Sequence, residues 1–172
     1  LEIQLKRLKK DYNRIKAKNL FSIISYNSIK HLKEGGYFIK ILSDAFLTNV
    51  YYKDFREFLL EEMEILEIVL TPRNLFRHIK ADVGTCILFA KKRRKEDYVF
   101  NGWDGNLLNR NKIKLVDRLQ SQKEFYRCKS KTEFVKQSEI YNYPNSQIVI
   151  GVSKNLRNMY LNYKLRLGDI AK

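Results

Sequence analysis

Apolar runs of strand length recur at Tyr37–Leu42, Ile65–Leu70 and Gly84–Phe89, each set off by turn formers or charged residues. Between the first two, Phe55, Phe58 and Leu59 fall at helical spacing, with Asp54, Glu57, Glu61 and Glu62 along the polar face. Thr48 or Asn49 can cap that helix. Upstream, Asn19 can cap a helix running through Leu20, Ile23, Ile24 and Ile29 to Leu32, and Gly35 can end it in the left-handed conformation that glycine takes freely. Earlier still, Leu1, Leu5, Leu8, Tyr12 and Ile15 share one face of an amphipathic helix whose other faces carry Lys6, Lys9, Lys10, Arg14 and Lys16. The pattern predicts an α/β fold, a sheet backed by helices. The Thr71–Val83 loop can return the chain without a crossover helix, so the third strand should run antiparallel to its neighbours. Later in the chain the pattern weakens. Ile113, Val116 and Leu119 suggest a helix within Asn111–Val135, Asn101-Gly102 and Asp104-Gly105 around Trp103 are turn chemistry, Pro144-Asn145 marks a turn, and Gln147–Val152 suggests a short strand.

Composition sharpens this in one respect. Of 172 residues, 34 are Lys or Arg and 19 are acidic, a formal charge of +15. A field of that sign attracts phosphate and releases counterions on binding, which makes a polyanion the first partner to consider. The 44% hydrophobic content and the scarcity of Pro and Gly argue for a folded chain. Cys86 and Cys128 have no metal-ligand or redox spacing, so a reducing cytoplasm is the simpler setting. No apolar run reaches bilayer length, and the polar start Leu1–Lys10 has no signal-peptide pattern.

The Thr71–Val83 loop is longer than a hairpin needs and carries Arg73, Phe76, Arg77, His78 and Lys80. An enzyme that modifies a base must draw it out of the stack, and an aromatic ring against the extruded base recovers part of the lost stacking. The alternative for Phe76 is a ring that anchors the loop in the core. Past Phe89, the run Lys91, Lys92, Arg93, Arg94 and Lys95 is either a solvated strand end or a phosphate contact. The basic first segment has the same two readings.

Taken together, KNLFSIISYNSIKHLKEGGYFIKIL, FLTN, REFLLEE, ILEIV, RNLF and VGTCILF resemble the second half of the catalytic domain of adenine-specific DNA methyltransferases, the modification-subunit family of restriction systems. The resemblance covers about Asn19 to Lys92. It implies the C-terminal half of a Rossmann-like methyltransferase sheet with a closing antiparallel strand, and residues 93–172 as a basic α+β extension leading towards a target-recognition domain. By the same resemblance, Asn19, Leu20, Phe21 and Ile24 would line the adenine ring of S-adenosylmethionine, or else pack as core. Phe76 would flank the flipped adenine, and Arg73, Arg77, Lys80, Lys91, Lys92, Arg93 and Arg94 would meet double-stranded DNA. Ser43-Asp44 stands where relatives have Pro-Asn. The glycine-rich turn, the ribose-binding acid and the Asn/Asp-Pro-Pro-aromatic tetrapeptide do not occur in residues 1–172, and in the family's common order the tetrapeptide would fall just before Leu1. The chain by itself is therefore expected to be inactive and to work with the remainder of a methyltransferase and a specificity domain or subunit. A non-enzymatic nucleic-acid-binding module with a methyltransferase-like sheet is the alternative, and an RNA-directed enzyme of the same fold is a third.

Overall fold

A computed structural model describes residues 12–16, 20–73, 75, 84–94, 111–118 and 131–162. The elements are α1 (Leu20–His31), β1 (Tyr37–Ser43), α2 (Ala45–Thr48), α3 (Lys53–Glu62), β2 (Met63–Leu70), β3 (Thr85–Lys92), β4 (Lys112–Val116), β5 (Thr132–Lys136), α4 (Gln137–Ile140) and α5 (Lys154–Asn162). The five strands form one mixed sheet in the order β1-β3-β2-β4-β5. β3 is antiparallel to β1 and to β2, as expected, while β4 lies parallel to β2 and β5 antiparallel to β4. This is a mixed α/β fold of the Rossmann-like kind. The residues after Lys92 supply β4 and β5 to the same sheet.

Alternation explains which side of the sheet is covered. Phe38 and Leu42 of β1, Cys86, Leu88 and Ala90 of β3, and Met63, Ile65 and Ile68 of β2 point to one face and are buried. Phe55, Phe58, Leu59 and Leu60 of α3 close over that face with Ile29 of α1. On the other face Tyr37, Ile39 and Ile41 of the edge strand stay exposed, with Tyr37 stacked on Phe89.

Several expectations for individual segments change. Residues 1–11 of the first amphipathic segment lie outside the described residues. Its end, Asn13–Ile15, is a 3-10 turn stopped by Lys16 at a φ of 40°. Ile15 is buried as its face predicts, whereas Arg14 is tied to Glu61 at 2.6 Å and Glu62 at 2.5 Å. Burial works against the Arg14 charge, but the two carboxylates outweigh it and its pKa is raised. No helix forms over the described parts of Asn111–Val135. β4 and β5 stand there instead: Ile113 and Leu115 alternate with period two into the core, and Val116 at the end of β4 is buried as well. Gln147–Val152 is not a strand either: Ile148 N donates to the Leu47 carbonyl at 2.9 Å, and no ladder follows. The turn at Pro144-Asn145 is present as a 3-10 turn over Pro144–Ser146. Asn49 caps the 3-10 turn Val50–Tyr52, accepting from Tyr51 N at 2.9 Å, whereas α3 itself begins at Lys53 with no side-chain cap. The Trp103 turns lie outside the described residues.

Candidate functional site at the carboxyl end of the sheet

Since β1, β2 and β4 run in one direction, their carboxyl ends at Ser43, Leu70 and Val116 share an edge of the sheet with the start of β3. In open α/β sheets the crevice outside this edge is where ligands bind. Lys92, at the far end of β3, places the helices relative to it. Its Nζ donates to the carbonyls of Ile29 at 2.7 Å, Lys30 at 3.2 Å and Leu32 at 2.9 Å, which pins the last turn of α1 beside the amino end of β1. A helix of 12 residues rises by roughly 18 Å. Running antiparallel to β1, it brings its first turn to the carboxyl edge. There the Phe21 ring lies 5.2 Å from Tyr52 and 6.0 Å from Phe55, at the entry to α3.

The first turn of α1 does not behave as an ordinary core stripe. Leu20 is 69% and Ile24 46% exposed, while Ser22, Ser25 and Ile29 are the residues turned inward. Ser25 can sit against the sheet because it is small and its hydroxyl is satisfied by the Phe21 carbonyl at 2.6 Å. The core reading of Leu20 and Ile24 therefore fails, and Phe21 alone of the three packs partly against the core. Asn19 lies outside the described residues.

Asp44, Leu47, Thr48, Leu70, Ile148 and Ile150 line a cleft of about 220 Å³ at the ends of β1 and β2. Asp44 meets Arg118 in an ion pair, and Arg118 Nη1 donates to the Thr71 carbonyl at 2.8 Å. Neither residue was singled out by its spacing. Asp44 stands directly before α2 and makes no side-chain cap bond there. Cys86 is buried, and burial pushes its thiol up to about 12, which keeps it neutral and inert. Among the described residues no group of His, Cys, Asp and Glu could hold a metal ion.

The predicted nucleic-acid contacts divide between the two ends of the sheet. Arg73 is exposed just past the carboxyl end of β2. Phe76, Arg77 and Lys80 lie outside the described residues. Lys91, Lys92, Arg93 and Arg94 end β3 and so sit at the opposite edge, across strands that span roughly 25 Å. Lys92 is occupied by the carbonyls of α1. Arg93 donates from Nε to the Met63 carbonyl at 3.2 Å and from Nη2 to the Leu60 carbonyl at 3.3 Å. Lys91 lies with its Nζ 5.9 Å from the Tyr37 ring. Arg94 is exposed.

A solved structure shares this fold. It is that of the type IIG restriction endonuclease BpuSI, to which the chain is 15% identical with a TM-score of 0.50, over 74% of this chain and 15% of that one. The chain thus spans a small part of that protein's length, and at this identity the likeness speaks for the fold. No protein-family model matches the sequence, and no curated protein matches it.

Proposed function

We propose that the chain is part of an S-adenosylmethionine-dependent DNA adenine methyltransferase of a restriction-modification system, contributing a wall for the cofactor's adenine and a loop that meets the flipped base. The observation that carries this reading is the placement at the carboxyl edge of the sheet of both the exposed apolar pair Leu20 and Ile24 in the first turn of α1 and the neck of the loop that begins at Thr71. An apolar wall next to a few fixed polar groups suits a purine ring. The likeness in fold to a restriction endonuclease points to the same kind of system. The methyl group would pass from the sulfonium of S-adenosylmethionine to the adenine amino nitrogen, and the groups that contact that nitrogen would come from outside residues 1–172. What this chain supplies is shape: Leu20 and Ile24 exclude water from one side of the cofactor ring, and Arg73, exposed past the end of β2, meets the nucleic acid.

The test uses the full-length protein that carries this chain, duplex DNA and labelled S-adenosylmethionine. Label in N6-methyladenine is expected. Ile24→Asp should weaken cofactor binding by about tenfold, the scale of one apolar side chain's contact, without lowering the melting temperature, because Ile24 is not core. A folded full-length protein that labels no adenine and shows no heat of binding with S-adenosylmethionine overturns the proposal. Retained DNA binding in that case would favour the non-enzymatic module.

A further inference from the structure

The Thr71–Val83 loop leaves β2 at Thr71 and rejoins the sheet at Gly84, and the described residues at this neck are tied together more closely than hairpin geometry requires. Thr71 N donates to the Thr85 carbonyl at 3.0 Å, its hydroxyl meets the same carbonyl at 3.0 Å, and the two threonine hydroxyls are 2.5 Å apart. Asp44 N donates to the Gly84 carbonyl at 3.0 Å. A Cβ at position 84 would collide with the Asp44 carboxylate, so only glycine lets that carboxylate lie against the returning chain. Arg118 then spans both sides, with Nη2 on the Asp44 carboxylate and Nη1 on the Thr71 carbonyl. Its own backbone is fixed by Asp117, whose Oδ1 accepts from Arg118 N at 2.6 Å. A Cβ at Gly151 would come within 2.8 Å of the same carboxylate.

We propose that Asp44 and Arg118 are positioning residues that hold the neck formed by Thr71, Gly84 and Thr85, so that the end of β4 fixes where the chain leaves β2 and where it rejoins the sheet at β3. What the loop touches rests on the function proposed above; the neck rests on geometry alone. An ion pair this exposed, with side chains 28% and 22% accessible, adds little to global stability. Its effect is local, because one planar fork engages acceptors from two different strand ends. Lysine's donors all leave one nitrogen and lack the spread of the planar fork, so it fits this pair of acceptors less well.

The experiment compares the full-length wild type with Arg118→Gln, Arg118→Lys and Asp44→Asn, by limited trypsin cleavage after Arg73 and by steady-state methyl transfer. Cleavage should be about tenfold faster in Arg118→Gln, since proteolysis tracks the population of the locally opened state, with an intermediate rate in Arg118→Lys and a melting temperature close to wild type. Turnover should fall about tenfold while the KM for S-adenosylmethionine is unchanged, as for a group that acts through orientation. Unchanged cleavage and turnover in folded Arg118→Gln overturn the proposal. If Arg118→Gln does not fold, Asp44→Asn, which keeps the shape and one acceptor oxygen, gives the same readout. A wild type that transfers no methyl group refutes the function while the cleavage rates still decide the clamp.

Discussion

Arg56 has no exposed surface and is the largest side chain in the core. Its Nη1 donates to the carbonyls of Phe46 at 2.6 Å and Asn49 at 2.8 Å, its Nη2 to Asn145 at 2.7 Å, and its Nε to Ser146 at 3.1 Å and Asn145 at 3.3 Å. Burial pushes the guanidinium down to about 10, so it remains charged near neutrality, its charge spread over backbone dipoles. It joins α2 and the turn before α3 to the Pro144–Ser146 turn, segments far apart in sequence. Arg56→Met fills similar volume but strands those carbonyls in the interior. A loss of about 3 kcal/mol or more in urea unfolding is expected, since several buried carbonyls are left without a donor at about 1–3 kcal/mol each. A loss below about 1 kcal/mol would mean that water replaces the guanidinium. Nothing in the run Asp54–Glu57 marks this arginine as buried. Hydrophobic patterning sorts side chains by polarity, and Arg56 and Gln137 are inside because each finds backbone partners that only the folded chain assembles.

At the scale of elements, what was legible in the sequence is what depends on local pattern. β1, β2 and β3 each begin or end within three residues of the apolar runs, and α3 forms where Phe55, Phe58 and Leu59 place it. β4 was misread because Ile113 and Val116 also fit a helical step, and only pairing with β2 selects the extended form. The bulge between Ile65 and Glu67 was not visible at all. It is satisfied from a distance by Gln137, which accepts from Ile65 N at 2.9 Å and donates to the carbonyls of Leu60 and Met63. The end of α1 has the same character: its last carbonyls are closed by Lys92, 60 or more residues away. A cation at a helix carboxyl end is favourable both as a donor and against the helix dipole. Lys92→Met keeps the stem and removes the charge, and should lower stability by about 1–2 kcal/mol. Hydrogen exchange should show the loosening first in the last turn of α1. Faster exchange confined to β3 would show that the lysine supports the strand and not the helix.

At the scale of the whole molecule, the two edges of the sheet separate what charge alone had merged. A net +15 suggests a polyanion partner but does not say which surface meets it. Many of the cations in the described residues already have internal tasks: Arg14 and Lys30 with Glu62, Lys114 with Glu67, Arg157 with Glu133, and Lys92 and Arg93 with carbonyls. Arg73 differs, being exposed at the carboxyl edge beside the proposed site. If duplex DNA lies across that edge, Arg73→Gln should weaken binding and reduce the slope of log affinity against log salt by roughly 0.9, the contribution of one neutralised phosphate. Lys92→Gln should leave that slope unchanged and lower the melting temperature, because its ammonium is engaged within the fold. Fluorescence anisotropy of a labelled duplex over a salt series, with a thermal melt of each preparation, distinguishes the two. The reverse outcome, a slope reduced by Lys92→Gln and untouched by Arg73→Gln, would move the DNA to the amino edge of the sheet and away from Leu20 and Ile24.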